Sequence, residues 1–465
     1  MFRVTQFMQE LVNPTPLGPA DPLSPLATYG TGVPLAGAAE SLTLQRHYES
    51  GVPLAGAAES LTLQRHYESG VPLAGAKRAP LGPVVIWNLV RRCNLTCKHC
   101  YSISADKDFA GELSSAEVFR VMDDLKAFQV PVLILSGGEP LLRPDIFDIG
   151  RRAKAMGFYV GLSSNGTLVN AENVAAIAAT GFDYVGISLD GLAATHDRFR
   201  RKEGAFAAAL NGVRLCRDAG AKVGIRFTLT QDNADDFPAL LALTESEGIH
   251  KFYLSHLNYA GRGNKNRKDD AHHRTTRAAL DRLFERCLQQ VQAAQLGGNN
   301  EREYVTGNND ADGAYLLRWA SERFPEQAEH IRRKLVQWGG NASGVNIANI
   351  DNLGVVHPDT MWWNYPLGNV RERPFSEIWN DLSDPLMAGL KTSPRPVTGR
   401  CASCAHLALC NGNTRVRAWQ TTGDFWAEDP GCYLTDEEIR FVAPASSQLA
   451  GRDAGATTSP AGAET

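Results

Sequence analysis

Between Val84 and Ser255 six short apolar runs alternate with helix-like stretches, a rhythm that points to parallel βαβ units. The predicted strands are Val84–Leu89, Val132–Leu135, Tyr159–Leu162, Tyr184–Ser188, Lys222–Leu229 and Lys251–Ser255. Helix-like stretches lie between them, near Ser115–Phe128, Ile146–Met156, Ala171–Ala179, Ala205–Asp218 and Asp236–Glu247. Six units are too few for an eight-stranded barrel. The expectation is therefore an α/β fold, a partial (βα)6 barrel whose chemistry sits on loops at the strand C-termini.

This core is expected to occupy residues 84–292. Before it, residues 1–83 read as an N-terminal lead and a repeat-containing linker, largely disordered. Gly32–Ser50 recurs unchanged at Gly51–Ser69, and a third copy starts at Gly70 and stops at Ala76. Identical copies suit a duplication in a tolerant linker better than a solenoid, whose units diverge. After the core, residues 293–442 read as a smaller C-terminal module, opening with a Gly/Asn-rich loop over 294–312. The Ala/Gly/Ser/Thr-rich stretch 443–465 reads as a disordered tail.

Nine cysteines in 465 residues are too sparse for a disulfide scaffold, and seven fall into two tight groups. That pattern fits metal binding in a reducing compartment, with the cytoplasm as the expected location. Cys216 and Cys287 stand apart on helical faces and are expected in the core. A net charge of -4 gives no polyanion-binding signature, so no nucleic acid partner is expected. No apolar run is long enough for a bilayer, and Met1–Val12 lacks a signal-peptide layout, so no membrane partner is expected either.

The first predicted strand runs into Cys93, Cys97 and Cys100, spaced CxxxCxxC. Three thiolates can hold a 4Fe-4S cluster and leave one iron open. Structural zinc with His99 as fourth ligand is a weaker alternative, because His99 sits in a short register between two ligands. Ser136–Pro140 (SGGEP) follows the second strand, Ser163–Thr167 (SSNGT) the third, and Ser188–Gly191 (SLDG) the fourth. In this order the motifs resemble the radical S-adenosylmethionine (SAM) superfamily. The resemblance implies that Cys93, Cys97 and Cys100 are the catalytic cluster ligands. It implies SAM contacts at Gly137, Gly138, Glu139, Ser164, Ser188, Asp190 and Arg200, with Glu139 taking the ammonium group and Arg200 the carboxylate.

Cys401, Cys404, Cys410 and Cys432 supply four further ligands, a set that suits zinc and iron–sulfur equally by spacing. Resemblance to the SPASM/twitch-like modules of radical SAM enzymes implies one auxiliary 4Fe-4S cluster here, making two in all. His406 is a spare candidate ligand.

The stretch after the sixth strand gathers His256, Asn258, Tyr259, Arg262, His272 and His273, groups suited to a substrate with several carboxylates. This stretch resembles the NirJ family, the radical SAM proteins of heme d1 biosynthesis. So do Thr306–Asp312, Trp338–Gly344 and Asn413–Trp419. The implied reaction removes propionate side chains from didecarboxysiroheme through a deoxyadenosyl radical, on the way to the oxo groups of heme d1. Tyr259, Trp362, Trp363 and Trp419 are candidate neighbours of the flat ring, and core residues on the alternative reading. The implied partners are the tetrapyrrole, an electron donor such as ferredoxin or flavodoxin, and other heme d1 pathway proteins. Three rivals stand beside this reading: a SPASM-type peptide-modifying enzyme, a heme-synthesis relative acting on coproheme or siroheme, and a zinc-stabilised binding protein.

Overall fold

In the computed structural model, residues 1–15, 81–298 and 302–440 are described. The repeat at 32–76 and the tail from 443 lie outside them. All six predicted strands form, side by side and parallel: β1 (Val84–Asn88), β2 (Val132–Ser136), β3 (Tyr159–Ser164), β4 (Tyr184–Ser188), β5 (Val223–Leu229) and β6 (Lys251–His256). The same sheet continues at both ends. β7 (Glu303–Gly307) pairs parallel with β6, and β8 (Ile347–Ile350) pairs parallel with β1. β9 (Val355–His357) and β10 (Gly368–Asn369) add an antiparallel edge.

β7 lies inside the stretch expected to be a loop. Its sequence, Glu303-Tyr304-Val305-Thr306-Gly307, has no apolar run to mark it, and pairing with β6 makes the strand. The boundary expected at 292/293 falls inside the helix His273–Gln295, and one continuous sheet has strands on both sides of it.

The first residues differ from the expected disordered lead. Val4–Val12 forms helix α1, whose Val4, Phe7, Met8 and Leu11 are buried at helical spacing. Phe2 pairs with Thr306 beside β7, and its ring lies 4.9 Å from Trp338.

The crossovers carry α2 (Ser115–Ala127), α3 (Ile146–Ala155), α4 (Val174–Thr180), α5 (Ala193–Arg200), α6 (Ala205–Asp218) and α7 (Phe237–Ser246). α2 starts at a capping box in which Ser114 and Glu117 satisfy each other's backbone N–H groups. Beyond β6 come α8 (Gly261–Lys265), α9 (His273–Gln295), α10 (Ala311–Arg323) and α11 (Ala328–Trp338).

Strand residues alternate between two environments. Val85, Trp87, Leu133, Leu135, Val160, Leu162, Val185 and Ile187 belong to the main hydrophobic core, together with Cys216 and Cys287. Ile86, Ile134, Tyr159, Tyr184, Arg226 and Tyr253 line an interior cavity, with Ser136, Ser163, Ser188, Thr228 and Ser255 above them. The hydroxyl row lies toward the strand C-termini, where the first cysteine group sits.

Candidate active site and metal centres

β1 delivers the chain into the cysteine loop, and the loop after β2 locks onto it. Gly138 N–H donates to Val90 O at 2.6 Å, and Glu139 N–H to Arg92 O at 2.9 Å. A Cβ on Gly137 would lie 2.4 Å from Val90 O, and one on Gly138 would lie 2.3 Å from Arg92 O. These glycines are expected to let the backbone approach a ligand. They border the cavity, but the close approach that requires glycine is to the cysteine loop itself.

Each thiol of the first group has a polar neighbour. Asn165 Nδ2 lies 3.8 Å from Cys93 Sγ, Arg200 donates to Cys97 Sγ at 3.4 Å, and Ser102 Oγ lies 3.3 Å from Cys100 Sγ. Cys93 and Cys97 are buried, and all three cysteines are free and border the interior cavity. Burial pushes the Cys93 thiol up to about 12. Burial raises Cys97 too, against the pull of Arg200. Thiols in such surroundings ionise when a bound metal supplies the compensating charge. The donor set therefore fits an iron–sulfur cluster. Burial lowers His99 to about 4, so its imidazole is neutral at physiological pH, and it stacks on Phe199.

The expected SAM contacts separate into three groups. Gly137, Gly138, Ser164, Ser188 and Arg200 line the cavity beside the thiols. Glu139 is fully buried, accepting from Ser164 Oγ at 2.8 Å, Asn165 N at 2.8 Å and Leu141 N at 3.1 Å. Its carboxyl ties the β2 loop to the end of β3, and burial pushes it up to about 7 against these hydrogen bonds. Asp190, also fully buried, pairs with the Arg200 guanidinium and accepts from Thr228 N at 2.7 Å. Sequence reasoning missed Asn165 and Ser102, because nothing marks a side chain that touches a thiol across 72 residues or from a turn.

Cys401, Cys404, Cys410 and Cys432 line one small cavity, with Arg400, His406 and Asn413. Arg400 Nη1 lies 3.7 Å from Cys432 Sγ. His406 Nε2 is taken up by Glu438 O at 2.9 Å. Among the described residues no three His, Cys, Asp or Glu side chains converge as one metal ion requires.

The expected substrate residues do not form one site. His256 and Asn258 line the interior cavity, of about 370 Å³. Tyr259, His272 and His273 line a second cavity of about 390 Å³ toward the C-terminal segment, with His256 in the wall between the two. Arg262 borders neither: its guanidinium donates to Cys97 O at 2.7 Å and Ser104 O at 2.9 Å. Trp362, which packs 5.4 Å from Trp419, and Trp363, 6.0 Å from Tyr101, belong to the packing around the site.

Residues 87–244 match the Radical SAM superfamily. The chain is 56% identical over 357 residues to the pre-heme d1 synthase of Dinoroseobacter shibae, covering 77% of this chain and 87% of that protein. The chain belongs to the radical SAM superfamily. It is a radical SAM enzyme of the pre-heme d1 synthase family, and that membership brings SAM and a 4Fe-4S cluster. It is also 44% identical to the Fe-coproporphyrin III synthase of Methanosarcina barkeri, over 77% of this chain and 90% of that one. The crystal structure of Streptococcus suis SuiB bound to precursor peptide SuiA shares the fold, with a TM-score of 0.59 at 14% identity, covering 85% and 88% of the two chains. Among the described residues no helix is long and apolar enough to cross a membrane.

Proposed function

We propose that this radical SAM enzyme works in heme d1 biosynthesis, removing propionate side chains from didecarboxysiroheme. One observation carries the reading: the three thiols open onto a cavity that continues down the barrel between apolar and tyrosine side chains. A cofactor at the rim and an extended substrate would share that space. When bound there, the reduced cluster and SAM supply the deoxyadenosyl radical that abstracts hydrogen. Cys93, Cys97 and Cys100 would hold three irons. Ser164, Ser188 and Arg200 would orient SAM at the rim, while Glu139 and Asp190 hold the loops and the guanidinium in place.

The second cysteine group would hold a second 4Fe-4S cluster, a reading supported by four thiols that face one cavity in a chain of this superfamily. An electron carrier such as ferredoxin or flavodoxin would supply the reducing electron. Identity to the D. shibae pre-heme d1 synthase favours a heme d1 precursor over a peptide as substrate.

Anaerobically reconstituted protein with SAM, a reductant and didecarboxysiroheme tests the reading. Mass spectrometry should show loss of propionate mass together with deoxyadenosine. Deoxyadenosine without any change in the tetrapyrrole would count against the heme d1 assignment.

A further inference from the structure

Along β5 the residues alternate strictly. Val223, Ile225, Phe227 and Leu229 are buried in the core, while Arg226 and Thr228 line the interior cavity. Arg226 is a partly buried cation in the middle of this inward row, and its guanidinium reaches across β4. It donates to Ser163 Oγ on β3 at 2.6 Å and lies 5.9 Å from the Tyr253 ring centroid. Among the described residues no carboxylate forms an ion pair with it.

The other charged groups around the cavity are engaged. Lys251 pairs with Glu303 at 3.1 Å, and Arg200 with Asp190. Asp310 accepts from Asn341 at 2.8 Å, and Asp359 from Met361 N at 2.7 Å. A guanidinium that lines a cavity with no carboxylate beside it keeps its remaining N–H donors available to an acidic ligand. The neighbouring strand β4 leaves room for it: a Cβ on Gly186 would come within 2.9 Å of Arg226 Nε.

We infer that Arg226 binds a carboxylate of the substrate inside the barrel, and so selects an acidic side chain for attack. This rests on the tetrapyrrole reading above. The strand register places Arg226 level with Ser188, two residues before Thr228, whose N–H is held by Asp190. Arg226 thus stands beside Ser188 in the ladder and two residues, about 7 Å of strand, before the point at which Asp190 is tied to β5. A propionate gripped there leaves its methylene carbons nearer the rim, where hydrogen abstraction would occur. Asn258 Nδ2, buried and without a partner in the same cavity, supplies a second donor.

The test compares iron tetrapyrroles with free and with methyl-esterified carboxylates, as absorbance titrations of the SAM-loaded holoenzyme. The unaltered protein should bind the free acid about tenfold more tightly or better, the scale of one charge-assisted hydrogen-bonded pair. Arg226→Gln should abolish that preference, and Arg226→Lys should keep part of it, which a misfolded protein could not do. If Arg226→Gln discriminates as strongly as the unaltered chain, the assignment of Arg226 is overturned while the tetrapyrrole reading stands. If the unaltered chain binds neither form, the tetrapyrrole reading falls and takes the assignment with it.

Discussion

The Arg200 guanidinium lies 3.4 Å from the Cys97 sulfur while a second nitrogen is held by the buried carboxylate of Asp190. A cationic donor on a ligand sulfur stabilises the more electron-rich state of a cluster. Arg200→Lys keeps the charge but cannot span both partners from one ammonium. Its cluster potential should move negative, on the order of tens of millivolts, and SAM cleavage should slow. A redox titration followed by electron paramagnetic resonance reads the shift. An unchanged potential would remove the influence of Arg200 on the cluster and leave it with the orientation of SAM alone.

Arg262 was expected to grip substrate and instead clamps the cysteine loop through two backbone carbonyls. Gly261 beside it is equally tight, since a Cβ there would lie 2.3 Å from Tyr101 O. Hydrogen bonds from a charged donor contribute about 1.5–3 kcal/mol each. Arg262→Ala should therefore lower iron content and cluster lifetime. In the fraction that keeps its cluster, tetrapyrrole affinity should be unchanged. A loss of affinity with full iron content would restore the substrate role.

That contrast shows what could be read from residues alone. The six strands of the barrel were legible because each is a local apolar run, and their edges shift by at most two residues. β7 and β8 were not, since EYVTG and IANI are interrupted by polar residues and their pairing partners lie far away in sequence. The cysteine groups were legible because ligand spacing is local. Arg226 and Arg262 were not, because a cation looks the same in sequence whether it faces a cavity, a carboxylate or a carbonyl. Which face of β5 is the interior is settled only when the sheet curves.

The two cysteine groups should separate in function. Cys93→Ala leaves two thiols at the first site, too few to hold the cluster in place, so SAM cleavage should be lost. Cys404→Ala should remove about four irons, the content of one cluster, and spare SAM cleavage while impairing tetrapyrrole turnover. Iron assay and deoxyadenosine yield read both variants. Unaltered iron in Cys404→Ala, with zinc found in its place in the parent, would show the second site to be a zinc site.

The segment carrying Cys432 is tied down by Glu438. Its carboxylate pairs with Arg277, lies 3.1 Å from Arg318, and accepts from Thr435 N at 2.7 Å. Arg277 also donates to Tyr433 O at 2.7 Å. Burial works against the charge, but these hydrogen bonds and the two guanidiniums hold Glu438 down to about 2. A carboxyl depressed in the folded state stabilises it above the unfolded value of 4.5, and that contribution fades as pH falls from 4.5 toward 2. Glu438→Gln should then destabilise the protein by about 1–2 kcal/mol at neutral pH. The difference from the unaltered chain should shrink steadily below pH 4.5. Denaturant melts across that window check the convergence, and a gap of constant size would mean that the loss is one of packing, not charge.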